Sequence, residues 1–152
     1  MIDEVAESSV VVELCASDRS TAAGATVIDR PVWSRVDSAV HRVFENGGFV
    51  DLRVIAPATG LVKELAMKSI GGRYRLVVLT RSGDPKFDLL EWWEREQRPF
   101  TGMEKFGDDE WDARTVSSDV SHALRLFQKL FRDGDLSIEL NGFRSRWDRK
   151  PR

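Results

Sequence analysis

The chain has 152 residues, enough to bury roughly 70% of its unfolded surface in a single domain, and its composition (41% hydrophobic, 32% charged) excludes a disordered protein. Its single cysteine, Cys15, excludes an intramolecular disulfide and favours a reducing compartment. No apolar run approaches the ~20 residues that span a bilayer, and the acidic start is unlike a signal peptide, so we expect a cytoplasmic protein without membrane contacts.

The N-terminal third predicts a strand, a loop and a helix. Residues 9–16 are β-branched and apolar, as in a strand, whereas the small and polar residues 17–26 are typical of a loop. Asp29 is a candidate N-cap for a helix that Asn46 and two glycines end. The apolar stripe of this helix consists of Val32, Trp33, Val36, Ala39, Val40, Val43 and Phe44.

Three strand-like runs follow, over residues 49–56, 61–69 and 73–81. Gly71 and Gly72 are a tight-turn signal, so we expect an antiparallel meander with a hairpin between the second and third runs. In residues 61–69 the even positions are the more polar set. The odd positions are therefore expected to face the core.

The next part of the chain is strongly acidic. Residues 84–119 contain eleven Asp/Glu against five Lys/Arg, a net charge of −6, whereas residues 1–83 are neutral and residues 120–152 carry +4. Three of the five tryptophans lie in this acidic segment. Carboxylates steer a basic partner and aromatic side chains anchor it, so the segment predicts a docking face for a basic protein.

The remaining elements are shorter, apart from a second helix. Residues 89–93 fit either a strand or a short helix, and a turn at Gly107 leads into a last strand over 110–116. Ser118 or Asp119 caps the second helix. Its apolar stripe consists of Val120, Ala123, Leu124, Phe127, Leu130 and Phe131.

Together these elements predict an α+β fold in one domain over residues 1–152. An antiparallel sheet of five or six strands is expected, with the two main amphipathic helices packed against it. The C-terminal tail from about residue 141 is basic, and we expect it to be frayed.

No group of residues indicates a catalytic or metal site. His41 and His122 lack a cysteine neighbour and an HxxxH spacing, and Cys15 has no histidine near it in the sequence. The carboxylates near Asp108 lack the spacing and the glycine of a calcium loop. We therefore expect a protein that is not an enzyme and needs no cofactor, and the pI of 5.8 disfavours nucleic acid as a partner.

Adjacent tryptophans stand out within the acidic segment. If Trp92 and Trp93 lie on a strand, one points inward and the other outward. The outward one is then expected to be an exposed aromatic residue of the kind that protein interfaces use.

Two stretches, GGRYRLVVLT at 71–80 and FGDDEWDARTVSSDVSHALRLFQKLFRDGDLS at 106–137, carry a resemblance to known proteins. They resemble small immunity proteins of bacterial polymorphic-toxin and contact-dependent inhibition systems. The matching residues are Gly72, Tyr74, Trp111, the cap over 115–119, Phe127, Phe131 and Gly134. The resemblance covers residues 60–137 and does not extend to the basic tail.

The resemblance implies a non-enzymatic protein that binds and neutralises a cognate toxin in the cytoplasm, as a monomer or weak dimer when free. Many such toxins are nucleases with basic clefts, and an acidic face could occupy the place where phosphates bind. The candidate toxin-binding residues are Glu91, Trp93, Glu94, Glu96, Asp108, Asp109 and Glu110.

Two other functions fit the same sequence. A small hydrolase would use a carboxylate pair in the 88–112 segment and would have a deep pocket with perturbed acids. A structural scaffold subunit would instead have a self-complementary apolar patch.

Overall fold

The computed structural model describes residues 9–20, 24–93 and 99–145. The described residues form nine strands and two α-helices. In chain order these are β1 (Val11–Asp18), β2 (Thr26–Asp29), α1 (Trp33–Asn46), β3 (Gly48–Ala56), β4 (Val62–Ser69), β5 (Tyr74–Thr80), β6 (Leu89–Trp92), β7 (Met103–Phe106), β8 (Asp109–Asp112), α2 (Val120–Asp133) and β9 (Phe143–Ser145).

One large antiparallel sheet has the strand order β2-β1-β3-β4-β5-β6-β9, and β7 pairs with β8 in a separate two-stranded sheet. The predicted α+β class with two main helices is confirmed. The predicted count of five or six strands is wrong, because the large sheet has seven. Its two outermost strands, β2 and β9, were not predicted from the sequence.

Both helices lie on one face of the large sheet, where α1 packs on β1, β3 and β4 and α2 packs on β3 and β4. Alternate strand residues such as Val50, Leu52 and Val54 meet them there and are fully buried. The two helices also contact each other through aromatic rings, since the ring centroids of Trp33 in α1 and Phe131 in α2 are 5.6 Å apart. This layer is the hydrophobic core of the described chain.

The helix boundaries follow their caps. Of the two predicted caps of α2, Ser118 and Asp119, the structure selects Asp119, since its carboxylate accepts a hydrogen bond from the backbone N–H of Ser121 at 3.0 Å. Gly134 ends α2 in the left-handed conformation. The predicted cap of α1 is wrong, because Asp29 belongs to β2 and the helix starts after an exposed Val32.

Strand β4 only partly follows the predicted alternation. Leu65 and Met67 are buried as expected, but the pairing with β5 shifts register between Val62 and Glu64. This bulge turns Val62 into the core and leaves Leu61 exposed, so the odd positions face the core only after the bulge. The predicted hairpin follows directly, closed by the bond from Ile70 N–H to the Arg73 carbonyl at 3.0 Å.

The C-terminal part of the chain departs most from expectation. The predicted strand over 110–116 ends early, because the Asp112 side chain caps a 3-10 helix over Ala113–Thr115. The tail was expected to fray from about residue 141, but Phe143–Ser145 form strand β9 against β6. Residues 146–152 of that tail lie outside the described residues. Neither described helix has the length and apolar character that crossing a bilayer requires.

Candidate functional site

The sheet face opposite the two helices, here called the open face, carries a row of charged side chains. Glu13, Arg53 and Glu64 are cross-strand neighbours on β1, β3 and β4. The Arg53 guanidinium lies between the two carboxylates, with Nη1 3.6 Å from Glu13 Oε1 and Nε 3.3 Å from Glu64 Oε1. Charges at alternate strand positions are what a solvated face requires, so these residues were not singled out from the sequence.

Asp51 is the perturbed acid of the open face. Burial, followed by the charge of Glu64 and a hydrogen bond with it, raises the pKa of Asp51 to about 6. Cys15 is its cross-strand neighbour on β1, and burial together with Asp51 and Glu13 raises the pKa of the thiol. A raised pKa keeps the sulfur protonated, whereas a nucleophilic cysteine needs the thiolate.

This environment predicts how stability depends on pH. Because the folded-state pKa of Asp51 is above its ordinary 3.8, the native protein holds that proton more tightly than the unfolded chain does. The stability contributed by the proton is complete below about pH 4 and is lost as the pH rises through about 6. Asp51→Asn should therefore flatten this dependence and be more stable than the parent at about pH 7.5. Urea unfolding across this pH range measures the effect.

The matched control is Asp29→Asn, which removes an exposed carboxylate at the sheet edge. It should leave the pH profile of the parent unchanged. A profile of Asp51→Asn that parallels the parent would show that Asp51 does not titrate in this range.

On the open face, a buried ion pair joins Arg75 of β5 to Glu91 of β6. The same guanidinium lies 3.6 Å from the centroid of the Trp111 ring, and its Nε donates to Thr115 Oγ1 at 3.3 Å. Arg75 therefore connects the sheet to the β7–β8 hairpin. Glu91, a predicted contact residue, is 4% exposed and is used inside the protein.

A second buried arginine, Arg114, packs against the ring of Trp93. The guanidinium of Arg114 donates to Asp112 at 2.9 and 2.6 Å and lies 5.1 Å from the centroid of the Trp93 ring. Arg144 of β9 lies 5.0 Å from the same ring. Trp93 does face away from Trp92, as strand alternation requires, but it is only 7% exposed. The expected exposed tryptophan is therefore absent from this pair.

The β7–β8 hairpin lies across the open face, where Glu104 also forms an ion pair with Arg73, the residue directly before β5. Beneath it is a pocket of about 170 Å³. The polar side chains that line this pocket are Asp51, Lys68, Arg75 and Asp109, and its aromatic ones are Phe49, Phe106 and Trp111. The pocket brings the predicted Asp109 together with Asp51, which sequence reasoning missed.

The hairpin ends in three exposed carboxylates, Asp108, Asp109 and Glu110, here called the acidic turn. Other acids of residues 84–119 are used internally, since Glu91, Glu104 and Asp112 each pair with an arginine. Within the described ranges, no hydrogen bond or ion pair engages the side chains of the acidic turn. Two large apolar side chains of this region are also exposed, Phe100 at 49% and Met103 at 55%.

The predicted contact residues therefore fall into three groups. Asp108, Asp109 and Glu110 lie together on the surface, whereas Glu91 and Trp93 lie in the buried layer beneath the hairpin. Glu94 and Glu96 lie outside the described residues. In residues 9–20, 24–93 and 99–145, no three His, Cys, Asp or Glu side chains are placed to hold a metal ion.

Comparison with known proteins identifies a family and a fold. Residues 13–140 match a family described as a family of unknown function, DUF6911, so the chain belongs to that family. The crystal structure of a hypothetical protein from Neisseria gonorrhoeae is similar in fold, with a TM-score of 0.60 and 12% sequence identity over 80% of this chain and 87% of that chain. At that identity the likeness extends to the fold alone. No curated protein matches the chain.

Proposed function

We propose that this member of the DUF6911 family is a non-enzymatic inhibitor that binds a basic partner protein through the acidic turn. The observation that carries the proposal is the exposure of Asp108, Asp109 and Glu110 without internal partners, at the end of a hairpin fixed to the sheet. The partner class is a cognate toxin, as the resemblance to immunity proteins implies, and the place of binding is the cytoplasm.

The acidic turn has the properties that a recognition surface needs. Three adjacent carboxylates steer a basic protein and increase its association rate, and this effect weakens as salt is added. Met103 of the same hairpin supplies exposed apolar area that can anchor a contact. Because Arg75 and Trp111 fix the hairpin before binding, little conformational entropy is lost on association.

A nuclease toxin fits this surface by charge. A nuclease cleft attracts phosphates with lysine and arginine side chains, and carboxylates on a rigid hairpin can occupy the same positions. The immunity protein would then block substrate binding directly. It would be a monomer or a weak dimer in the absence of the toxin.

The proposal predicts a salt-sensitive complex that depends on the turn. We expect the chain to co-purify in a stoichiometric complex with the product of the gene immediately upstream, and the complex to loosen at high salt. Charge reversal in the double variant Asp108→Lys/Asp109→Lys should weaken the complex by roughly tenfold or more and reduce its salt dependence. Isothermal titration at two salt concentrations measures both effects.

The matched control is Asp29→Lys/Glu45→Lys, which makes the same change in net charge at two exposed acids away from the hairpin. It should leave the affinity close to that of the parent protein. Equal weakening by both double variants would indicate a general charge effect and remove the acidic turn as the contact surface. A well-folded monomer that forms no complex with the upstream product would contradict the immunity function itself.

The hydrolase alternative rests on the pocket beneath the hairpin. Asp51 and Asp109 both line it, and the raised pKa of Asp51 suits a general acid. Its volume of about 170 Å³, however, is below the roughly 300–1,000 Å³ of typical small-molecule sites.

The scaffold alternative requires self-association, which sedimentation at high protein concentration would detect. We favour the binding function because Asp108 and Glu110 lie outside the pocket and all three carboxylates of the acidic turn are exposed.

A further inference from the structure

The end of the open face that lies beyond the β7–β8 hairpin carries exposed apolar side chains. Arg75 packs against the hairpin, and Leu79, four residues further along β5, lies on the same face of the sheet and is half-buried. Leu89 of β6 is the cross-strand partner of Leu79. Four large side chains in this part of the sheet are between 36% and 47% exposed and are here called the apolar patch: Ile55, Leu61, Phe87 and Leu89.

The apolar patch crosses four neighbouring strands. Ile55 lies two residues beyond Arg53 on β3 and therefore faces the same side of the sheet. Leu61 comes directly before β4, and its carbonyl accepts a hydrogen bond from the Arg81 N–H at 2.8 Å. Phe87 precedes β6 by two residues, and its carbonyl accepts a hydrogen bond from the end of β5. Because neighbouring strands are ~4.8 Å apart, the patch is one surface about 15 Å wide.

The charged groups beside the apolar patch are balanced. Arg53 lies between the carboxylates of Glu13 and Glu64, and the Arg81 guanidinium donates to three backbone carbonyls at 2.9 to 3.1 Å. The exposed charges that flank the patch in the sequence are two bases and two acids, Lys63, Lys86, Asp84 and Asp88. The patch is therefore close to neutral, unlike the acidic turn, and a basic toxin gains no electrostatic attraction from it.

We propose that the apolar patch binds a second copy of this chain, in a weak dimer whose two sheets meet face to face. Two identical neutral surfaces meet without net like-charge repulsion, and lysines at the rim of one copy pair with aspartates at the rim of the other. The shape of the open face favours the same arrangement. Since the hairpin lies across the other end, only the end with the patch is open to the close approach of a second sheet.

The size of the apolar patch determines the strength of this dimer. A stable interface buries about 800 Å² on each partner, whereas four half-exposed side chains provide on the order of 300 Å² of apolar area. We therefore expect a dissociation constant on the order of 100 μM, weaker than a scaffold subunit would need. Because the acidic turn lies outside the patch, the inference does not rest on the proposed binding of a toxin.

Sedimentation equilibrium of the full chain from about 10 μM to about 1 mM tests the proposal. The average mass should rise from the 17.3 kDa of the monomer towards that of a dimer. Ile55→Lys and Leu89→Lys should each weaken dimerisation at least about tenfold, because two-fold symmetry places the new lysine twice in one apolar contact. On dilution of a ¹⁵N-labelled protein, the amide resonances that shift should lie near the patch.

The matched control is Ile138→Lys, which makes the same chemical change at a 74% exposed isoleucine in the 3-10 helix over Ile138–Gly142, beside α2. It should dimerise as the parent does. The double variant Asp108→Lys/Asp109→Lys should also dimerise like the parent. Loss of dimerisation and loss of toxin binding are therefore distinguishable.

A chain that stays monomeric at 1 mM would overturn the proposal, as would a dimer that Ile55→Lys and Leu89→Lys both leave intact. Two other results would overturn it by identifying a different occupant of the patch. One is a monomer whose Ile55→Lys variant binds the upstream gene product more weakly, which would assign the patch to the toxin. The other is a dimer that forms only after removal of residues 146–152, which would assign the patch to the chain's own C-terminus.

Discussion

Replacing Glu91 with alanine is expected to lower the free energy of unfolding by about 3–5 kcal/mol, because it removes the carboxylate that Glu91 supplies to the buried guanidinium of Arg75. Arg75 and Glu91 are 9% and 4% exposed, so water cannot replace the lost partner. The β7–β8 hairpin should be destabilised as well. Trp111 stacks on the same guanidinium, and a displaced Arg75 no longer fixes the position of β8.

Denaturant unfolding of three further variants separates the buried charge from general disruption. The double variant Arg75→Met/Glu91→Leu removes both charges and should recover much of the stability lost in Glu91→Ala. Asp133→Asn breaks the exposed pair with Lys129 and should change stability little. Glu91→Gln keeps the shape of the side chain and should still be clearly destabilised. If Glu91→Ala is as mild as Asp133→Asn, the pair is not a buried one in solution.

The same contacts connect stability to the proposed function. Glu91 was predicted as a toxin contact because it lies in an acidic, aromatic stretch, but it is used to position the hairpin that carries the acidic turn. Its substitution should therefore weaken toxin binding indirectly, through loss of the fixed hairpin geometry. A buried ion pair of this kind can contribute to a unique arrangement even where its net stabilisation is small.

Sequence periodicity was sufficient for the central part of the fold. The stripes of α1 and α2 and the alternation of β3 and β5 are long enough for their periods of 3.6 and 2 to be recognised. Asp119 and Gly134 also carry local signals at the ends of α2. Each of these features depends on residues close together in the sequence.

The missed features depend on partners that are distant in the sequence. Strands β2 and β9 have four and three residues, too few to show a period, and only their pairing with β1 and β6 makes them strands. From the sequence alone, a charged residue such as Glu91 is expected to be exposed to solvent. Only its pairing with Arg75, which is distant in the sequence, explains why it is buried. For the same reason Asp51 could not be identified, since its raised pKa depends first on burial and then on Glu64 from another strand.

The residues that carry the resemblance to immunity proteins have structural roles here. Tyr74 is fully buried, and its hydroxyl donates to the Asp119 carbonyl at 2.6 Å, which joins β5 to the start of α2. Phe127 is fully buried in the core, and Gly134 ends the helix. Such residues indicate how the second helix docks on the sheet. Partner specificity must therefore depend on other residues, and we propose that these are the residues of the acidic turn.

Gly48→Ala is expected to cost about 4 kcal/mol or more in the free energy of unfolding, because it combines backbone strain with a steric overlap inside the sheet. Gly48 begins β3 with φ = 126°, a conformation that L side chains rarely adopt. A Cβ atom there would overlap the carbonyl oxygen of Ser17 and lie 2.9 Å from Asp18 Cα. Both atoms belong to the backbone of β1, which pairs with β3 at this point and cannot rotate away.

Gly72→Ala is the matched control that isolates the strain. Gly72 also has a positive φ, 84°, but a Cβ atom at that position would meet nothing within 4 Å. Its substitution should cost only about 1–2 kcal/mol, the ordinary penalty for a side chain in the left-handed region. A larger loss for Gly48→Ala in denaturant unfolding, with hydrogen exchange increased along β1, would locate the difference at the β1–β3 contact. Equal losses would mean that β1 yields to the new methyl group, and that the start of β3 is held less tightly than its pairing with Asp18 implies.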